Sequence, residues 1–337
     1  MDYFEDIPPE LLPSISQYLS IDTLNALVLT CRRLHTILQP ELEARITPEN
    51  GWRILLWAAA AKPHVVAKLL SPPHSISPGT IREYGFNDTP LHIAAETGSI
   101  ECAELLLRAG AYPSDNCGQE GFSPLHLATI NNDVEMAELL LDYRAIIDDT
   151  FGGDGFSENA LHRACASGHL ALATLLLDRG ANLEYHGHYG TPLGFAVRNG
   201  RADIVDLLLA RGADASVTVS LYPLLDGSPP YPRDANLLYV AMDLRHPSYM
   251  LRHQRVNPGK PVPKWDGLPL SQGKKYMLTT LMAQGASKDA TMATISNHLR
   301  AMAEAAGRPE KEFLDIVKRM LKEAENAMTD PSFMGSK

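Results

Sequence analysis

Three histidines invite a chemical reading first. His92, His126 and His162 recur at intervals of 34 and 36 residues (92 to 126, 126 to 162). Imidazoles brought together could ligate zinc or act as general bases. Asp148, Asp149 and Asp154 stand beside Gly152-Gly153 and carry the oxygen ligands that calcium prefers. Cys165 would be a nucleophile if its thiolate were accessible. Spacing argues against each. The aspartates lack the D-x-D-x-D-G order and the distal Glu of a calcium loop, which leaves a solvated loop. Cys165 stands in the slot that Ala95 fills on the stacked face of its helix, as expected of an inert buried thiol. Each histidine follows a Thr, Ser or Asn by three residues, at what reads as a helix start, so hydrogen bonding within the fold is its expected role. No GxSxG, HExxH, P-loop or dinucleotide fingerprint is present. No catalytic residue, metal or cofactor is expected.

The elements that hold these histidines repeat. Thr89-Pro90-Leu91-His92, Ser123-Pro124-Leu125-His126, Asn159-Ala160-Leu161-His162 and Thr191-Pro192-Leu193-Gly194 start 34, 36 and 32 residues apart (89, 123, 159, 191). Leu triplets at 105–107, 139–141, 175–177 and 207–209 keep the same phase. Thr89, Ser123, Asn159 and Thr191 supply N-cap oxygens, and Pro at the next position needs no amide hydrogen. Gly98, Asn132, Gly168 and Gly200 tolerate the left-handed backbone that ends a helix. Between cap and turn lie small residues (Ala94-Ala95, Ala128, Ala164-Cys165, Ala196) that let units stack closely. A second helix carries the Leu triplet and closes at Gly110, Gly180 or Gly212. Neither helix is long enough to be stable alone, so stability must come from stacking.

These residues resemble the ankyrin repeat, with its T-P-L-H-x-A start and later G, LL and GA marks. The resemblance runs over residues 52–286, clearest at 89–213, and implies an all-α ankyrin-repeat solenoid of five to six units. It has departures. Arg144 stands where the closing Gly belongs, which requires either a different turn or about 1 kcal/mol of left-handed strain. Gly194 replaces the motif His. Residues 53–70 read as a degenerate first unit, and a sixth runs from Asn236 to Ala286. Its two helices are separated by a basic, Pro-rich insertion at 247–274 (Arg252, Arg255, Lys260, Lys264). Residues 287–327 read as two capping helices, the second with a stripe of Leu314, Val317, Leu321 and Ala324. Residues 328–337 form a tail.

Residues 1–46 do not share the repeat marks. Apolar positions recur at three- and four-residue steps, with a break at Ser20-Ile21-Asp22 where Ser20 or Asp22 caps the next helix. Pro13 moves the first regular helix towards Leu12. The segment resembles an F-box: Ile7 takes the first Leu position, Pro8 the Pro, Glu10 the Glu, Ile15 the central Ile and Leu19 the closing Leu. Cys31-Arg32-Arg33-Leu34 follows, with Thr30 in place of a Val. The resemblance implies docking on the Skp-type adaptor of a cullin–RING ubiquitin ligase. Ile7, Pro8, Leu11, Leu12, Ile15 and Leu19 are the expected contacts.

Composition agrees with a folded helical chain. Apolar residues make up 45% and charged ones 21%, an ordinary globular mix, whereas aromatics at 7% disfavour a β-sandwich. A net charge of −10 argues against a nucleic-acid binder. Four scattered cysteines without a CxxC pair fit a reducing compartment. The acidic N-terminus does not read as a secretory signal, the apolar run Ile54–Ala61 is far short of the ~20 residues that span a bilayer, and Gly335-Ser336-Lys337 is no lipidation box. The expectation is a soluble monomer, cytoplasmic or nuclear, without a membrane partner.

What remains is binding surface. Finger loops and first-helix ends of an ankyrin stack line its concave face, where the expected target contacts are Phe151, Arg163, Tyr185, His188, Tyr189 and Arg198. The leading reading is a non-catalytic substrate-recognition subunit of an SCF-type ubiquitin ligase, its protein target unidentified. The alternative is an ankyrin scaffold or pathway-specific regulator with no ligase partner.

Overall fold

The computed structural model describes residues 12–28, 32–47, 51–72, 74–79, 88–115, 121–151, 158–187, 190–219, 235–242, 272–306 and 309–329. They fall into two compact units, Met1–Phe151 and Gly152–Lys337. The described residues are all-α apart from strands only two residues long, and most of the helices come in the pairs expected of ankyrin repeats. No described helix is long and apolar enough to cross a membrane.

The first unit opens on three helices, α1 (Leu12–Ser16), α2 (Ile21–Val28) and α3 (Arg32–Arg45). Ser20, rather than Asp22, caps α2: its Oγ accepts the Thr23 N–H at 3.2 Å. Pro13 lies in the first turn of α1, where its missing N–H has no helical partner to lose. Leu12, Leu24, Leu34, Leu38 and Leu42 are each no more than 2% exposed and make the core of the trio. The Arg45 guanidinium donates to the carbonyls of Ser16 (2.9 Å) and Leu19 (2.8 Å), closing the C-terminal end of α1. α2 also touches the first helix of the repeats.

Three helical pairs follow: α4 (Trp52–Ala59) with α5 (Pro63–Leu70), α6 (Pro90–Thr97) with α7 (Ile100–Arg108), and α8 (Pro124–Ile130) with α9 (Val134–Asp142). Thr89 and Ser123 cap α6 and α8 in a reciprocal arrangement. Each side chain accepts the amide of the third helical residue, whose imidazole accepts the cap's own N–H. Side chains also cross between pairs. Thr97 Oγ1 reaches the Ala60 carbonyl at 3.0 Å, and Asn131 Nδ2 donates to the Glu96 carbonyl at 2.7 Å. These contacts satisfy first-helix carbonyls that have no partner within their own helix. Ala94, Ala95, Leu106, Ala128 and Leu140 are fully buried between the layers. Arg144 stands at φ +65°, so the turn after α9 keeps the repeat's geometry and carries the left-handed strain.

In the second unit α10 (Ala160–Ser167) pairs with α11 (Leu170–Asp178), α12 (Pro192–Arg198) with α13 (Ala202–Ala210), and α14 (Leu237–Ala241) with α15 (Gln272–Ala283). Arg201 Nε donates to the Ala166 carbonyl at 3.2 Å, a third instance of the cross-repeat contact. Thr218–Val219 pairs antiparallel with Ala235–Asn236. Asn236 then starts the sixth repeat. Its Oδ1 accepts the Tyr239 N–H (3.1 Å) and the Thr291 hydroxyl (2.9 Å), while Nδ2 donates to the Ser287 carbonyl (2.7 Å).

Asn236 thereby ties the sixth repeat to α16 (Lys288–Ala306), which α17 (Glu310–Met328) follows. The expected stripe of α17 is buried at Val317, Leu321 and Ala324 and only half-buried at Leu314, and it packs on α15 and α16. Of the expected insertion, Gln272–Lys274 belong to α15, and the rest lies outside the described residues.

Two substitutions test this account. Arg144→Gly should raise the free energy of unfolding read from urea titrations by up to ~1 kcal/mol, the relief of strain exceeding the entropy gained by the unfolded chain, whereas Arg144→Val should lower it. Leu176, fully buried in α11, should cost about 2–5 kcal/mol when cut to Ala.

Candidate functional site

The histidines are spent on holding repeats together. His92 Nδ1 accepts the Thr89 N–H at 3.2 Å, so the proton of the neutral ring sits on Nε2. That nitrogen faces the carbonyls of Asp115 (2.9 Å) and Phe122 (3.1 Å), in the finger that follows. His162 does the same between the Asn159 N–H (3.3 Å) and the Gly190 carbonyl (3.1 Å). Burial holds both rings below the usual histidine range, His162 at about 4, against the opposing pull of the carbonyls. His126 Nδ1 accepts the Ser123 N–H at 3.2 Å, and its ring meets Phe151 edge-on, centroids 4.9 Å apart. Among the described residues no three His, Cys, Asp or Glu are grouped to hold a metal ion. Cys165 is fully buried, and burial pushes its thiol far above the usual range, away from the reactive thiolate. Asp149 accepts the Thr150 N–H at 3.0 Å within the finger.

Of the expected target contacts, Phe151 belongs to the first unit and is only 9% exposed, its ring packed on Phe122 at 4.6 Å. Finger-to-finger packing consumes it and leaves little for a partner. In the second unit Arg163 is half-buried on α10 and Arg198 is exposed at the end of α12. Tyr185 is half-buried, its ring edge-on to His162 at 5.9 Å. His188 and Tyr189 lie outside the described residues. Of the expected adaptor contacts, Ile7, Pro8 and Leu11 lie outside the described residues too. Leu12 is 1% exposed and sits in the trio's own core, because α1 needs it against α3. Leu19 is half-buried, while Ile15 is 40% exposed. Beside it Tyr18 is 89% exposed, an aromatic that the F-box pattern did not single out.

Aligning the units by their caps reveals further surface. The fourth residue after the cap position is Trp57, Ile93 and Leu127 in the first unit, each half-buried and turned away from the buried Ala pairs. The seventh is Ala60, Glu96 and Ile130, the last two exposed. In the second unit the fourth and seventh positions after the cap include Arg163 and Arg198. Tyr112 and Ile146 are exposed at the turn after the second helix, a place where Asn182 and Asp214 instead accept the amides of Glu184 (3.0 Å) and Ser216 (2.8 Å). The position within each unit, read across units, was the signal for all of these residues.

Comparison with known proteins agrees with this geometry. A family model described as ankyrin repeats (3 copies) matches residues 55–151 and 146–219, and these residues are ankyrin repeats. Ankyrin repeats are modules for protein–protein interaction. A curated human relative, "Ankyrin repeat and SOCS box protein 16", is 34% identical over 197 residues, 56% of this chain. The matched stretch spans 41% of that relative's length.

The buried imidazoles imply a pH dependence of definite sign. His162 binds its proton near pH 6.5 when unfolded and near 4 when folded, so the unfolded chain holds the extra proton between those values. Stability is complete above 6.5 and is lost as pH falls towards 4, by about 3 kcal/mol for this group. Urea titrations across that window should show the loss, and His162→Gln should reduce proton uptake on unfolding by about one proton.

Proposed function

We propose that the chain is a non-catalytic recognition subunit of a cullin–RING ubiquitin ligase. Its N-terminal trio would engage a Skp-type adaptor and its ankyrin array the target. The observation that carries this reading is the trio itself: three helices outside the repeat phase, with a Leu core of their own and with Ile15 and Tyr18 exposed. A module of some forty residues buries little surface alone and gains from covering an apolar edge with a partner. The relative's name offers a parallel, joining ankyrin repeats to a second named module, the SOCS box. The subunit would act by proximity, raising the concentration of target lysines around a conjugating enzyme recruited elsewhere, in cytosol or nucleus.

The packing of α2 against α4 favours a second reading, in which the trio is an N-terminal cap of an ankyrin scaffold. Co-purification with a Skp-type adaptor separates the two. Ile15→Asp should abolish the complex, because a charge in a desolvated apolar interface costs several kcal/mol, while the melting transition stays in place. Leu12→Asp should instead lower the melting transition, since that side chain is internal. Absence of adaptor binding by well-folded protein would refute the ligase reading. A fall in the array's melting temperature with Ile15→Asp would favour the cap.

A further inference from the structure

We infer that the first helices of repeats one to three form a docking strip for an amphipathic helix whose apolar face is bordered by basic residues. The strip consists of Trp57 on α4, Ile93 on α6, and Leu127 and Ile130 on α8, all part-exposed or exposed, with Ile130 at 41%. Leu55, Leu91, Leu125 and the small residues Ala58-Ala59, Ala94-Ala95 and Ala128-Thr129 are buried, so the strip residues are not needed for the layer between repeats. The inference rests on the array being the target-binding half of the protein, and it names the chemistry of the target.

Geometry selects a helix. α4 packs on α6 and α6 on α8, and helices in contact lie about 8–10 Å apart. Seven residues of an α-helix rise about 10.5 Å and return close to the same face, so anchors at i, i+7 and i+14 meet the three rows in turn. An extended strand covers about 10 Å in three residues, but its third residue along points to the opposite face, and its same-face spacing of about 6.6 Å falls out of step with the rows.

Charge selects the border. α6, the middle helix, is acidic at both ends. Asp88 and Asp115 lie near His92 at its start, and the exposed Glu96 stands at its end. α4 has cations instead, Arg53 beside Trp52 and Lys62 just past the helix, and the ends of α8 carry the uncharged Ser123 and Asn131. Lys or Arg on the partner therefore belongs over the central repeat, beside the anchor that meets Ile93. The chain's net charge of −10 favours the encounter.

The test uses full-length protein and a fluorescein-labelled peptide of about 22 residues, with Leu at i, i+7, i+14 and their i+4 neighbours and Lys at the flanking positions. Fluorescence anisotropy should show saturable binding. It should weaken about tenfold or more for a peptide of the same composition with its Leu residues scattered round the helix, and likewise for one with Glu in place of Lys. Ile130→Ser and Glu96→Lys, both at exposed positions, should each weaken binding of the Leu/Lys peptide with the melting temperature unchanged. Glu96→Lys should also strengthen binding of the Glu peptide. Equal binding of the scattered peptide, no binding at all, or insensitivity to both substitutions would overturn the inference. Adaptor co-purification is read separately: its failure with peptide binding intact would refute the ligase reading alone, and the reverse result would refute the strip alone.

Discussion

An imidazole buried at the start of a short helix has two demands to meet at once. One ring nitrogen must accept the amide that the helix leaves without a partner, and the other must find an acceptor of its own. In His92 and His162 the second partner is a carbonyl of the following finger. A bond required by the helix start thus becomes a bond between successive elements of the array. Helices of eight or nine residues have marginal stability in water, so this coupling and the Leu/Ala layer beneath it decide whether they exist at all. The ring must stay neutral to play both parts, and burial keeps it neutral.

That demand also settles what the histidines are free to do. A ring whose two nitrogens are engaged inside the protein has no lone pair for a metal and no accessible proton for catalysis. His92 and His162 are thus committed within the fold, whatever their spacing in the sequence suggests. Trp57, Ile93, Leu127 and Ile130 draw no attention singly, but the repeat turns them towards solvent in register.

Much of the fold was legible because its signals are local. Thr89, Ser123, Asn159 and Asn236 act on amides three residues away, and Arg144 had to adopt positive φ once its neighbours closed the turn. The site was less legible because exposure is a tertiary property. Phe151 has the chemistry of a binding residue, yet Phe122 and His126 from the preceding loop and helix take its surface. Leu12 fits the F-box pattern, and the trio's core claims it first. No local rule separates an aromatic that packs on the next finger from one that awaits a partner.

Gly194 is where the array loses its imidazole. Thr191 still accepts the Gly194 amide at 3.4 Å, but no ring reaches forward from this helix start to the next finger. The Thr218–Val219 and Ala235–Asn236 ladder, the packing of α12 on α14 and of α13 on α15, and the Tyr276 hydroxyl donating to Asp206 at 2.6 Å carry that junction instead, while Asn236 binds the sixth repeat to α16. Cutting Asn236 back would therefore loosen the closing helices together with the start of the sixth repeat, because one amide side chain serves both.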